Sequence, residues 1–342
     1  MSWLFFAVIC VLGWGCADLF YKKGTDESDR YSHLKIAVWV GLVMGIVSFV
    51  LLPFSESRLE GGSLFASAVQ YFPASLSYII SMVIGYAGLR YLEISIVSPV
   101  QNASGALSML AMLVFFLVTG AITDFWEEYS VLDVIGTVLI IAGVILLAVV
   151  EQHLSKEEKQ SIRQSEKRKY RYGALALVFP ILYCVFDTIG TAADGIILSE
   201  EAGLGLGEID VLVLYGLTFF AAGIGAYVFL WIKEKKPYNP FAKSEWPKGV
   251  AAIAEQFGQI FYVFAMSRNP VLAAPVVASY CIVSVILSRI FLKEKLKKNQ
   301  YAAVAIVVLG ILLLGISEGI AAARESIVEE IEALFRFSMI PS

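Results

Sequence analysis

Apolar runs of bilayer-spanning length recur along the whole chain, and they decide its fold class before any single residue is weighed. Residues 271–292 are representative. As a helix rising ~1.5 Å per residue, such a run covers a hydrocarbon core of roughly 30 Å. The polar breaks on either side are short, SRNP at 267–270 and KEKLKKN at 293–299. In hydrocarbon every backbone polar group must be satisfied internally, which leaves helices or closed barrels. The alternating pattern of a barrel strand is absent, so the chain reads as an all-α integral membrane protein. A hydrophobic fraction of 58% and a mean hydropathy of +0.75 agree with that class and exclude an ordinary soluble domain.

Ten transmembrane helices are expected, over 3–21, 36–53, 73–91, 96–122 and 131–150, then 172–192, 209–232, 250–266, 271–292 and 301–316. The two sets of five resemble one another. Tyr86, Pro99, Val100, Ser108 and Phe115 fall on Tyr262, Pro275, Val276, Ser284 and Phe291 at one constant offset. With a shorter offset Gly143 falls on Gly310 and Glu151 on Glu318. The expected organisation is a first five-helix repeat at 1–151, a charged and solvated helical linker at 152–171, a second repeat at 172–318 and an amphipathic acidic tail at 319–342. In that tail Ile327, Ile331 and Leu334 lie opposite Glu325, Glu329 and Glu332, and it is read as an interfacial extension of the last span.

Basic residues orient membrane proteins, with Lys and Arg enriched on the cytoplasmic side. Of the 26 Lys and Arg, all but Arg58, Arg268, Arg324 and Arg336 lie in or beside the loops after spans 1, 3, 5, 7 and 9. The count puts those loops in the cytoplasm of a cell that carries the protein in its cytoplasmic membrane, with both termini outside. An odd number of spans per half then inverts one repeat relative to the other, the construction that many secondary transporters use to hold a site near the midplane.

Cys10, Cys16, Cys184 and Cys281 fall inside expected spans without metal-ligand spacing, and read as small core residues. His33 and His153 are expected in loops, which argues against a buried histidine site. No basic residue precedes the first apolar run, which argues against a cleaved signal. No nucleotide-binding motif is visible. The expectation is no cofactor, no metal, no nucleic-acid partner and no enzymatic activity.

Two stretches carry a family resemblance: LGWGCADLFYKKG at 12–24 and NPVLAAPVVASYCIVSVILSRIFLKEKLKKNQYAAVAIVVLGILLLG at 269–315. With a Pro-bearing fourth helix and a Gly-bearing fifth helix in each half, the chain is similar to the drug/metabolite transporter (DMT) superfamily, in its EamA-like branch, over residues 1–318. The resemblance implies a permease for a small molecule. Two departures stand against it: the acidic connector TGAITDFWEEYSVLD at 119–133 lacks the family's basic residue, and many relatives are drawn with cytoplasmic termini.

A carboxylate at the centre of a span costs on the order of 2.5–3.5 kcal/mol on insertion scales, so each one asks for a reason. Asp18, Asp187 and Glu255 are the candidates. Trp14 precedes Asp18 by four residues, and Tyr183 precedes Asp187 by the same spacing, which puts each aromatic on the face of its acid. An ion pair between Asp18 and Lys22 is the competing account of the first, and a helix cap that of the second. Glu255 shares a stripe with Gln259 and Tyr262 and has no basic residue in its span; Ile79 stands at its repeat position. Depths along the expected spans place Glu255 and Asp18 in the inner half and Asp187 in the outer third, so one small substrate is not expected to touch all three. Tyr78, Tyr86 and Tyr280 are further candidates, as aromatic faces for a cation or as interface residues. Gln101 and Asn102, just after Pro99, are expected at a break in the helix.

The expected function is a secondary transporter that moves a small cationic or zwitterionic metabolite across the membrane by alternating access, with protons as a coupling partner and lipid as the surrounding one. The competing classes are a membrane receptor or scaffold, and an integral-membrane enzyme acting on lipid. The scaffold has no need of polar residues at mid-depth; the enzyme needs a nucleophile and base that the sequence does not display.

Overall fold

The computed structural model describes residues 2–26, 29–55, 64–91, 94–162, 178–199, 206–291 and 298–338. The described residues form helices and no strand. They are α1 (Trp3–Gly24), α2 (Ser32–Leu51), α3 (Leu64–Tyr91), α4 (Ile94–Thr119), α5 (Val131–Ile162), α6 (Val178–Leu198), α7 (Glu208–Glu234), α8 (Trp246–Met266), α9 (Pro270–Ala278), α10 (Tyr280–Phe291) and α11 (Lys298–Ser338), with single short turns at Leu52–Phe54, Phe125–Glu128 and Lys243–Glu245. Among the described residues, nine stretches are long and apolar enough to cross a bilayer, α9 and the first part of α10 counting as one; the apolar part of α5, Val131–Leu147, is shorter. A belt of outward apolar side chains, among them Phe49, Val114, Val138, Ile224, Ile253 and Leu309, faces where lipid would lie. The molecule is a multi-pass membrane protein.

Several boundaries differ from the sequence expectation. α3 runs straight through Pro73 and begins at Leu64, where the expected span began at the proline. Proline is at ease at a helix start because its missing N–H is unneeded there, and that preference misled the reading. α4 continues unbroken through Pro99, so Gln101 and Asn102 sit in a regular helix, not at a break. The break falls in the second half, at Ser279, where α9 ends one turn after Pro275 and α10 begins. His33 and His153 lie within α2 and α5, not in loops. Helix α5 carries on to Ile162, into the charged linker, and α11 runs in one piece to Ser338, so span and acidic tail share a helix. Linker residues 163–171, the connector 292–297 and residues 339–342 fall outside the described residues.

Helices of the first half pack mainly on helices of the second. α1 lies on α8, α2 on α7, α3 and α4 on α6, α5 on α11, and α4 and α1 flank the broken pair α9–α10. The pattern maps onto itself when α1, α2, α3 and α5 exchange with α6, α7, α8 and α11. Each main pair is antiparallel: Trp14 bonds the Glu255 carbonyl while Phe6 stacks on Phe264, and Ser48 reaches Leu212 while Lys35 reaches Glu234.

Membrane helices gain little from the hydrophobic effect against each other and rely on close backbone approach through small residues. Gly41 of α2 meets Gly223 of α7 in this way. A Cβ placed on Gly41 would lie 2.5 Å from the Phe219 carbonyl oxygen and 2.8 Å from the Gly223 Cα, both backbone atoms that a rotamer change cannot clear. Gly225, two residues further along α7 and so on its opposite side, has nothing within 4 Å of an added Cβ. Gly41→Ala is therefore expected to destabilise the detergent-solubilised protein by about 1–3 kcal/mol, the usual range for overpacking. Gly225→Ala is expected to leave the thermal midpoint unchanged or raise it. Equal midpoints for the two variants would show that the α2–α7 crossing is not the tight contact described.

Candidate functional site

Between the halves, α1, α3, α4, α6, α7, α8, α9 and α10 surround a cavity with about 910 Å³ of atom-free space, part of it continuous with the outside. Bulky aromatics take the inward positions, and glycines stand opposite them. Trp14 of α1 lies over Gly258 of α8, and Tyr183 of α6 over Gly85 of α3. The two helix pairs are counterparts across the two halves, as Trp14 and Tyr183 are in sequence, while the two glycines stand three residues out of register. The glycines let each ring seat against backbone, and beside Trp14 the helices themselves meet, since a Cβ on Gly13 would lie 2.9 Å from the Gly258 Cα.

All twelve candidate positions line this cavity. Trp14 and Asp18 come from α1, Tyr78 and Tyr86 from α3, Gln101 and Asn102 from α4, Tyr183 and Asp187 from α6, Glu255, Gln259 and Tyr262 from α8, and Tyr280 from α10. The depth estimate that set Asp187 apart is corrected. α6 runs on to Leu198, so Asp187 lies about 16 Å from that end at ~1.5 Å per residue, well inside the helix. All three acids border the same space. A mid-helix position also removes the cap account of Asp187. Its carboxylate accepts a 2.6 Å hydrogen bond from the Ser104 hydroxyl of α4 and has the Tyr183 hydroxyl beside it. Asp18 has a matching neighbour in Ser284 of α10 and makes no ion pair with Lys22 within 4 Å.

Glu255 is 7% exposed and forms no ion pair among the described residues. One part of its expectation is corrected: α8 starts at Trp246 and includes Lys248. That lysine is committed elsewhere, 2.7 Å from Glu245 at the helix start and two turns away from Glu255. Gln259, one turn further on, is 1% exposed, and its amide nitrogen has no hydrogen-bond partner. Tyr262 and Tyr280 do not sit at interfaces: Trp14 stacks on Tyr262 at 5.2 Å between ring centroids and meets Tyr280 edge-on at 5.8 Å.

Part of the cavity wall is a layer of hydroxyls. The Tyr78 and Tyr262 oxygens are 2.5 Å apart, and the Tyr78 hydroxyl also donates to Thr191 at 3.1 Å. Tyr215 of α7 backs this layer, its ring 5.5 Å from that of Tyr78. Tyr21, Ser104, Thr191 and Tyr215 line the cavity as well and were not singled out in the sequence. Thr191 follows Asp187 by four residues, so a helical projection from the acid could have found it. Tyr215 lies in a run of large apolar residues with nothing to mark it. Among the described residues no group of three His, Cys, Asp or Glu side chains is gathered to hold a metal ion.

Comparison with known proteins places this geometry. Residues 196–316 match the model of the EamA-like transporter family. A solved crystal structure of a protein superposes with a TM-score of 0.59 at 14% identity, covering 92% of this chain and 96% of the other, a likeness of fold alone. No curated protein matches the chain in sequence.

If the cavity is water-filled, a cysteine on its wall reacts with a small charged thiol reagent and one on the lipid face does not. In a background with the four native cysteines replaced, Gln101→Cys is expected to be modified in proteoliposomes and Val114→Cys to resist. Equal resistance of both would make the space a closed void.

Proposed function

From a transporter-family match over residues 196–316 and a cavity set between the two halves of the chain, we propose that this protein is a secondary transporter for a small cationic or zwitterionic metabolite. One observation carries the choice of charge. The cavity wall holds three carboxylates, Asp18, Asp187 and Glu255, with one Trp and seven Tyr, and neither Lys, Arg nor His. An ammonium group is attracted by carboxylates through charge and by aromatic faces through their quadrupoles. The same wall repels an anion, whose desolvation nothing here would offset.

In this reading Glu255 is the charge-recognition residue, since it is buried and no cation pairs with it. Trp14, Tyr262 and Tyr280 form the aromatic side of the pocket around the ligand's cationic group. The unpartnered Gln259 amide donates to a ligand acceptor, which suits a zwitterion. Asp18 and Asp187, each beside a serine hydroxyl, set the field along the path. Alternating access follows from the helix arrangement: the halves meet across the cavity, so rocking one against the other opens either end around a fixed site. The repeated packing of α1 on α8 and α3 on α6 supports two inverted repeats at 1–151 and 172–318.

The direct test is a thermal-shift screen of purified protein against amines, amino acids, nucleosides and sugars. Amines or amino acids are expected to raise the midpoint. In Glu255→Gln, which keeps shape and removes charge, affinity is expected to fall by more than tenfold, about 1.4 kcal/mol. Stabilisation by sugars alone, or undiminished amine affinity in Glu255→Gln, would overturn the cationic assignment.

The proposed location is the cytoplasmic membrane with the basic loops inside. A reporter fused after Ser342 is then expected to read outside, and one inserted in the 156–171 linker to read cytoplasmic. The opposite result would turn the molecule over in the membrane and leave the cavity assignment intact.

A further inference from the structure

Beyond the hydroxyl layer, on the side of Leu198 and Met266, lies a fourth carboxylate that the cavity does not use. Asp194 is 0% exposed and is not among the residues lining the cavity. It follows Asp187 by seven residues, two turns along the same face of α6. Neither of its oxygens completes a hydrogen bond, and it forms no ion pair among the described residues.

Its surroundings are specific. From α3 the Tyr71 and Tyr78 hydroxyls stand beside it, and from α8 that of Tyr262. Tyr215 of α7 also lies within its field. Tyr71 is itself fully buried, with a hydroxyl that completes no hydrogen bond. The charged side chain of its own helix that acts on it is Asp187, of the same sign. Around the neighbouring Gly195 the side chains from α4, α8 and α9 are Met112, Met266 and Pro270, all apolar. At that end of the molecule Arg268 is engaged by Glu208 at 3.5 Å.

An ionised carboxylate in such a place, without a cation, carries a desolvation cost that the neighbouring tyrosine hydroxyls offset only in part. A metal cation relieves it poorly, because hard cations take about six or more oxygen ligands and here there is one carboxylate among phenols. A proton needs a single oxygen. We propose that Asp194 is a proton-binding site, separate from the substrate cavity and divided from it by the Tyr78–Tyr262–Thr191 hydroxyl layer.

The step balances simply. One proton from water forms an O–H bond on the carboxylate and cancels its charge; the same bond breaks when the proton returns to water. While Asp194 is protonated, the Tyr78 and Tyr262 hydroxyls are free to bond each other, as they do here. Once it is ionised, it competes for the same hydroxyl protons, and a tyrosine that turns toward it leaves the bridge. Proton loss therefore loosens this layer of the cavity wall. This coupling rests on the transport reading above; proton binding at Asp194 does not.

The test is infrared difference spectroscopy of the full chain in lipid during a pH titration, reading the C=O stretch of protonated carboxyl groups. One component is expected to vanish in Asp194→Asn and to persist in Glu255→Gln. Tyr262→Phe and Tyr71→Phe, which remove only a hydroxyl, are expected to shift that component, and they serve if Asp194→Asn fails to fold. A carboxyl signal identical in wild type, Asp194→Asn and both Phe variants overturns the proposal. So does loss of the component on adding sodium or potassium chloride at fixed pH, which would make the occupant a metal cation. Absence of any amine-induced thermal shift in wild type, with the Asp194 component present, fails the transport reading alone.

Discussion

The constraint on which the rest depends is the cost of an unpaired carboxylate inside a bilayer. This chain separates its charges by depth. Lys35 pairs with Asp29 and Glu234 at 2.8 and 3.1 Å, Lys248 with Glu245 at 2.7 Å, and Arg268 with Glu208 at 3.5 Å, each at or beside a helix end. Away from those pairs the order is reversed. Asp18, Asp187, Asp194 and Glu255 have no basic partner among the described residues. Pairs at the ends anchor helices to one another; the acids without basic partners carry a desolvation cost that the proposed occupants, a cationic ligand and a proton, would relieve. A protein that only needed to be stable would gain by replacing them with apolar residues, so their presence points to an occupant that comes and goes.

Much of this was legible in the chain. Apolar length fixes the class of fold, because backbone satisfaction in lipid leaves few alternatives. The cavity residues were legible for a related reason: a polar side chain in a span must turn inward, so Gln101, Gln259 and the acids could be chosen without knowing their neighbours. Helix ends were less legible. Composition marks where hydrocarbon begins, whereas a helix continues for as long as its backbone hydrogen bonds are satisfied, as α5 and α11 do well past their apolar stretches. Asp194 was lost through that same error. With the sixth span ended at 192, Ala-Ala-Asp-Gly read as a loop, and an acid in a loop calls for no reason. Extending the span by two turns puts Asp194 on the face of Asp187.

Two kinds of contact between the halves serve opposite ends. Where Gly41 meets Gly223, backbone touches backbone and the crossing is fixed. Where Trp14 lies over Gly258 and Tyr183 over Gly85, a large ring seats on a glycine of the opposite half and borders the cavity beside polar groups. A hydroxyl bridge such as Tyr78–Tyr262 lies between these extremes. It closes a gap that packing leaves open, yet it costs only about 0.5–1.5 kcal/mol to exchange such a bond for another. Closure by hydroxyls rather than by interlocked apolar side chains is therefore closure that a proton or a ligand can undo.

The scaffold is nearly symmetric and the site is not. Trp14 with Asp18 answers Tyr183 with Asp187, and Ser284 beside Asp18 answers Ser104 beside Asp187. The matching positions for Glu255 and Gln259 are Ile79 and Val83, so half of the pocket carries the extra acid and amide while its counterpart is apolar. Asp194 breaks the symmetry again, since its counterpart at the offset relating Asp18 to Asp187 is Thr25, the residue that ends α1. Asp18 and Asp187 border the cavity from corresponding helices of the two halves and cannot by themselves distinguish one end from the other. The two asymmetric ones can, because Glu255 and Asp194 lie on opposite sides of the Tyr78–Tyr262 bridge. With four like charges in one region, a positive charge taken up at either proposed site makes the field at the other less negative, so a cation in the cavity and a proton at Asp194 would compete across the layer that divides them.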